Sequence, residues 1–179
     1  MLSIEDAVFI VVDIQGKLAH LMQGKEMLFE AAIRLVRGMK VLGIPVIWVE
    51  QNPQGLGPTV PEIARELPGM EPVIKTSFSC CRDENIMRTL RAAGRRQILL
   101  AGIEAHICVY QTAADLIGLG YEVHVVTDAV SSRSVENRAI GLHRIEAVGG
   151  ALTSVETALF ELLGTSEDGR FRDILRIVK

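Results

Sequence analysis

Asp13, Lys75 and Cys108 are the side chains whose types could act together in one reaction. A thiol that attacks a carbonyl needs a base to take its proton and return it to the leaving group. It also needs a cation to favour thiolate and keep that base ionised. Asp, Lys and Cys meet both needs without histidine. Each stands at or just past the end of an apolar run, in VVDIQ, VIKTS and ILLAGIEAHICV, and in a parallel sheet those strand ends face the ligand. Each also has an ordinary use. A strand-terminal Asp caps the following turn, a lysine is normally solvated, and a free cysteine in an apolar segment is commonly core packing.

The stretch QILLAGIEAHICVYQT, residues 97–112, organises the rest of the chain. Ile98, Leu99 and Leu100 have the continuous apolar character of a strand covered on both faces, and Gly102 permits a sharp turn. Val109, Thr112, Ala113 and Leu116 then recur at helical spacing. This puts Cys108 near the first turn of a helix, where unpaired N–H groups and the positive dipole end bias a thiol toward thiolate. Lys75 and that helix end are expected to lower the thiol from its ordinary value of about 8.5.

The elements that must position these groups alternate. AVFIVV (7–12) reads as a strand and residues 26–42 as an amphipathic helix closed by Gly43. PVIWVE (45–50) is a second strand, followed by the Pro- and Gly-rich loop QNPQGLGPTVPE, a candidate pocket wall. A short helical stretch near 61–67 precedes a brief strand at 72–74 that delivers Lys75, and a helix over 83–93 opens at Asp83 and closes at Gly94. After the central unit, EVHVVT (122–127) forms a strand with Asp128 at its carboxyl end. Residues 135–148 read as a helix, 150–153 as a last short strand, 155–163 as a helix and 170–179 as a basic amphipathic tail. Strands alternating with helices, without hairpin signals, predict a three-layer α/β/α sandwich on a mostly parallel, doubly wound sheet, one domain over 1–179.

Composition narrows the class. The 179 residues are 49% hydrophobic and 23% charged, enough apolar content for a full core. Lys+Arg 19 against Asp+Glu 22 gives a formal net charge of -3, and the cations are scattered except for Arg95 and Arg96. No nucleic-acid footprint is expected. The N-terminal apolar run is too short to span a bilayer, follows Glu5 and Asp6 and ends in an acid, so it reads as the first strand of a cytoplasmic protein. Three cysteines, Cys80, Cys81 and Cys108, are an odd number without a secretory signal, and free thiols are expected.

Taken together, VVDIQ, IKTSFS and GIEAHICV, spread over most of the chain and in that order, resemble the isochorismatase-like cysteine hydrolase superfamily. EQNPQGLGPTVPE, GIEAHICV and DAVSSRS are most similar to its subgroup of isochorismatase domain-containing proteins. The resemblance implies Cys108 as nucleophile, Asp13 as general base and then acid, and Lys75 as the charge that tunes both. It maps a cis peptide onto Ile103-Glu104, with the N–H groups of Glu104 and Cys108 as an oxyanion hole. It also implies a small-molecule amide substrate, no cofactor and a homo-oligomer. Two departures stand out. Nicotinamidases of this superfamily carry an Asp-x-His metal pattern after the second strand, where this chain has Glu50, Gln51, Asn52 and Pro53, so no metal is expected. The usual Thr-Asp pair after the cis bond is replaced by Ala105 and His106.

Gln15, Gln51, Phe78 and His106 are candidates for the substrate pocket. His106 could line its entrance or simply serve the first helical turn. Arg133, in the polar loop with Ser131, Ser132 and Ser134, could hold a substrate carboxylate, cap a helix or meet a subunit. Cys80 and Cys81 follow the Lys75 segment as space-filling residues, and His20, His124 and His143 lack a second ligand at metal spacing. The expected activity is hydrolysis of a small amide or related C–N bond through a thioester on Cys108. The alternatives are a catalytically silent binding protein of the same fold and a redox-responsive thiol protein.

Overall fold

The AVFIVV run becomes β1 (Ala7–Val12), buried along its whole length, and its partner β4 (Gln97–Ile103) is likewise buried throughout. The computed structural model describes residues 1–179. Strands covered on both faces need apolar residues at every position, which is why neither run alternates. Their odd and even residues serve two different cores. Phe9, Val11, Leu99, Ala101 and Ile103 face one, while Val8, Ile10, Val12, Ile98 and Leu100 face the other.

Six parallel strands form the sheet, in the order β3-β2-β1-β4-β5-β6. Here β2 is Val46–Gln51, β3 is Val73–Lys75, β5 is Glu122–Ser131 and β6 is Ala151–Thr153. Between β1 and β2 lie α1 (Gly16–His20) and α2 (Lys25–Leu42), and α3 (Pro53–Leu56) and α4 (Pro61–Ala64) follow β2. A 3-10 turn (Cys80–Arg82) leads into α5 (Glu84–Ala93), and a π turn (Ala105–Val109) leads from β4 into α6 (Tyr110–Gly118). The chain continues through α7 (Val135–Ala147), α8 (Val155–Leu163) and α9 (Phe171–Val178). Leu35, Met39, Leu159 and Ile174 put α2, α8 and α9 on the first face, and Ile86, Leu90, Ala113, Leu116 and Ile145 put α5, α6 and α7 on the second.

Local chemistry explains the boundaries. Asp83 opens α5 by accepting from the N–H groups of Asn85 and Ile86, and Ser134 and Ser154 cap α7 and α8 in the same way. Gly43 and Gly94 close α2 and α5 in left-handed geometry.

Two expectations need correction. Gly102 lies inside β4, not in a turn. Its φ is +128°, and a Cβ there would sit 2.0 Å from the Val12 carbonyl oxygen, so glycine is what lets β4 close against the end of β1, one residue before Asp13. Asp128 is not at the end of a strand. After a register irregularity against β4, β5 runs on to Ser131, and the Asp128 carboxylate accepts from the Val155 N–H at 3.0 Å, holding the start of α8.

The order of strands reverses between β1 and β4, the place where an open parallel sheet leaves a crevice outside its carboxyl ends. Residues ending β1, β2, β3 and β4 therefore converge on one point. No helix is long and apolar enough to cross a membrane.

Candidate active site

Asp13 follows β1 directly, with φ at +55°. Left-handed backbone is uncommon outside glycine, although Asp tolerates it better than most residues, and such outliers cluster at functional sites. The geometry turns the carboxylate toward β3, whose last residue is Lys75. Lys75 Nζ donates to Asp13 Oδ2 at 2.6 Å, to Gln51 Oε1 at 3.1 Å and to the Ser77 carbonyl at 3.1 Å. An ammonium has three N–H bonds, and here all three have acceptors. Lys75 is 1% exposed and Asp13 2%. A charge so buried persists only when paired and hydrogen-bonded.

Cys108 sits in the π turn between β4 and α6. Gly141 of α7 allows that turn to be packed from behind, because a Cβ there would come within 2.6 Å of the Ala105 carbonyl. The thiol donates to Gln51 Oε1 at 3.2 Å. One carboxamide oxygen thus receives both the Lys75 ammonium and the Cys108 thiol. Two donors fix which end of the Gln51 amide is oxygen, and its nitrogen is left without a protein acceptor.

Electrostatics differ from the expectation of a thiolate. Burial and then the charge of Asp13 push the Cys108 thiol well above its ordinary range, and Lys75 only partly offsets this. The reason is that Lys75 is already bound to a carboxylate, so the sulfur meets an ion pair and not a free cation. Burial also raises the Asp13 carboxyl above its usual range, against the opposing pull of Lys75. The resting site therefore holds a protonated thiol beside a carboxylate of raised basicity. Asp13 Oδ1 is the one buried side-chain polar atom in the molecule with no aligned hydrogen-bond partner, although the Cys108 thiol is close enough to act on the Asp13 carboxyl.

A cavity of about 200 Å³ opens onto these groups, lined by Asp13, Leu18, Gln51, Leu56, Phe78, Ile103, Glu104, Ile107 and Cys108. Phe78 and Gln51 are among these lining residues. Gln15 and His106 do not line it. The Gln15 amide is consumed in bonds to the Gln51 carbonyl at 3.1 Å, the Gly57 carbonyl at 2.8 Å and the Gln51 N–H at 2.7 Å, so it fixes the backbone around Gln51. His106 turns away, its Nδ1 lying 2.9 Å from Ser132 Oγ. Arg133 Nε donates to Glu104 Oε1 at 3.0 Å, and Glu104 is one of the residues lining the cavity while Arg133 is not. The Ile103-Glu104 peptide bond is cis.

Leu18 and Leu56 come from short helices that sequence periodicity does not reveal. Leu56 does lie in the Pro- and Gly-rich loop read as a pocket wall. Cys80 and Cys81 stay outside the cavity. The Cys80 N–H bonds Thr112 Oγ1 at 3.0 Å, tying the Lys75 segment to α6, and burial first among the causes pushes their thiols up to about 12 and about 11. No group of three or more His, Cys, Asp or Glu is placed to hold a metal ion. Glu50, the nearest carboxylate in β2, accepts from the Thr59 N–H at 2.6 Å.

Comparison with known proteins gives the same architecture. A family model described as the isochorismatase domain matches residues 7–157. Isochorismatase domain-containing protein 1 of Danio rerio is 38% identical over 179 residues, covering 99% of this chain, which spans 62% of that relative's length. Among solved structures, the MAR1 ribonuclease from Caenorhabditis elegans superposes with a TM-score of 0.93 at 35% identity, over 99% of this chain and 91% of that one. YcaC from Pseudomonas aeruginosa, solved with hexane-2,5-diol and covalent acrylamide, superposes with a TM-score of 0.91 at 25% identity, over 98% of this chain and 90% of that one. The chain belongs to the isochorismatase domain family and carries its hydrolase fold.

Proposed function

We propose that this protein hydrolyses a small carboxamide through a thioester on Cys108. The observation that carries the reading is Asp13 Oδ1, a buried carboxylate oxygen with no aligned donor, beside the protonated thiol of Cys108. An orphaned buried acceptor is costly unless something uses it. A proton in transit is such a use.

The steps follow from the positions of the groups. As the Cys108 sulfur bonds to the amide carbon, its proton passes to Asp13 Oδ1. A carboxylate of raised pKa accepts a thiol proton better than an ordinary one, so the protonated resting thiol is compatible with attack. The negative charge that develops on the carbonyl oxygen is held by the backbone N–H groups of Glu104 and Cys108. Asp13 then gives the proton to the nitrogen, the C–N bond breaks and ammonia leaves. Water attacks the thioester, loses a proton to Asp13, and the acid departs as the S–C bond breaks and the thiol regains its proton. Lys75 holds Asp13 Oδ2 throughout, so that Oδ1 alone turns over. No step calls for a metal.

The Pseudomonas aeruginosa relative was solved with covalent acrylamide, which fits a reactive side chain in that protein. The name of the Caenorhabditis elegans relative brings a competing reading, RNA cleavage. A cavity of about 200 Å³ holds about seven water-sized positions at roughly 30 Å³ each, well short of a nucleotide, and the net charge of -3 gives little attraction for phosphates. The test is intact-protein mass spectrometry after exposure to pooled small amides, with ammonium release and RNA cleavage assayed on the same preparation. An acyl mass increment on Cys108 with ammonium release supports the amidase. RNA cleavage that survives Cys108→Ala, with no amide turned over, overturns it.

A further inference from the structure

We propose that the cavity selects an uncharged amide of about seven non-hydrogen atoms with a compact apolar acyl group, and that the Glu104–Arg133 pair excludes acidic substrates. This rests on the hydrolase reading above and adds the substrate class. Three features of the walls lead to it.

First, the one cation inside the site has no capacity left for a substrate carboxylate. The three N–H bonds of Lys75 are directed at Asp13 Oδ2, Gln51 Oε1 and the Ser77 carbonyl. Second, the next cation, Arg133, is not among the residues lining the cavity and is committed to Glu104, whose side chain is 6% exposed against 55% for Arg133. A substrate anion would therefore meet the Asp13 carboxylate before any free cation. Such like-charge juxtaposition is a recognised means of rejecting the wrong ligand.

Third, the polar groups that remain match a primary carboxamide. Asp13 Oδ1 accepts and has no aligned donor, the Cys108 thiol beside it being turned to Gln51, and an amide N–H supplies one. The Gln51 side-chain nitrogen donates and lacks an acceptor, its oxygen being used by Lys75 and Cys108. The remaining walls are Leu18, Leu56, Phe78, Ile103 and Ile107, with nothing to hydrogen-bond a polar acyl chain. At about 200 Å³ the space suits about seven non-hydrogen atoms, below the roughly 300–1,000 Å³ of sites for larger ligands.

Two probes of nearly one shape separate charge from size. Isovaleramide and malonamate both have seven non-hydrogen atoms, and they differ in an isopropyl group against a carboxylate. Ammonium release is measured for each, together with the protection each gives Cys108 against alkylation by iodoacetamide, a binding readout that needs no turnover. Isovaleramide is expected to be preferred by about a hundredfold or more in both assays, the scale of an unpaired like-charge contact. Glu104→Gln is expected to narrow that preference at least tenfold, with melting temperature as the check on folding. Malonamate hydrolysed as well as isovaleramide overturns the selectivity and leaves the hydrolase standing. Protection by isovaleramide alone, with neither amide hydrolysed, overturns the hydrolase and leaves the selectivity standing. A preference unchanged in well-folded Glu104→Gln removes the role given to Glu104.

Discussion

Replacing Asp13 by Asn should move two properties of Cys108 in opposite directions. The sulfur and Lys75 Nζ share one acceptor, Gln51 Oε1, at 3.2 and 3.1 Å, so the thiol lies about 6 Å or less from the cation. Unit charges at about 6 Å with an effective dielectric of about 20 interact by about 3 kcal/mol, which is about two pKa units. In the wild type the repulsion from Asp13 outweighs that attraction. Asp13→Asn removes the anion, while Lys75 keeps Gln51 Oε1 and the Ser77 carbonyl as acceptors. The thiol pKa should therefore fall by about one to two units, and alkylation of Cys108 by iodoacetamide at fixed pH should quicken about ten- to a hundredfold. Amide turnover should instead drop about 10²–10⁴-fold, because Asn cannot carry the proton. The assay is the alkylation rate against pH, read on the Cys108 peptide by mass spectrometry, beside ammonium release. Labelling that is unchanged or slower refutes the claim that Asp13 holds the thiol protonated. Undiminished turnover refutes its part in proton transfer.

Lys75→Met should destabilise the fold by about 3–5 kcal/mol near neutral pH, the cost of leaving one partner of a buried ion pair. A carboxyl whose folded pKa is raised loses stability as pH climbs through that value, so the deficit should shrink toward pH 4 in urea denaturation. Gly102→Ala should cost about 1–3 kcal/mol from overpacking against the Val12 carbonyl, with backbone strain in addition, and thermal melting checks it. Exhaustive chelation should leave amide turnover intact, since Glu50 is committed to the Thr59 N–H and Gln51 offers only a carboxamide. Activity lost in chelator and restored by added zinc would contradict that.

What could be read from the sequence follows from what is local. Strands buried on both faces declare themselves as unbroken apolar runs, so β1 and β4 were legible. Asp83, Gly43 and Gly94 mark helix ends through their own backbone chemistry. The second half of β5 was not legible, because DAVS carries an exposed Asp after an irregularity in pairing. Gly102 looked like a turn because its real reason is a carbonyl on another strand. The state of the thiol is non-local for the same kind of reason. A cation and a helix start predict a thiolate, but only the fold shows that Lys75 is already bound to Asp13 and that the sulfur is buried. Gln51 had a signal that went partly unused. It ends β2 beside the strand that carries Lys75, and it proves to be the bridge between Lys75 and Cys108.

The central claim is a covalent acyl group on Cys108, and the most direct measurement is peptide-level mass spectrometry of protein quenched in acid during turnover of isovaleramide. Wild type should carry an isovaleryl increment on the peptide containing Cys108, removable by hydroxylamine, and Cys108→Ala should lose the increment and ammonium release together. Ammonium release by Cys108→Ala at the wild-type rate, or an acyl group found on another residue, would contradict the account.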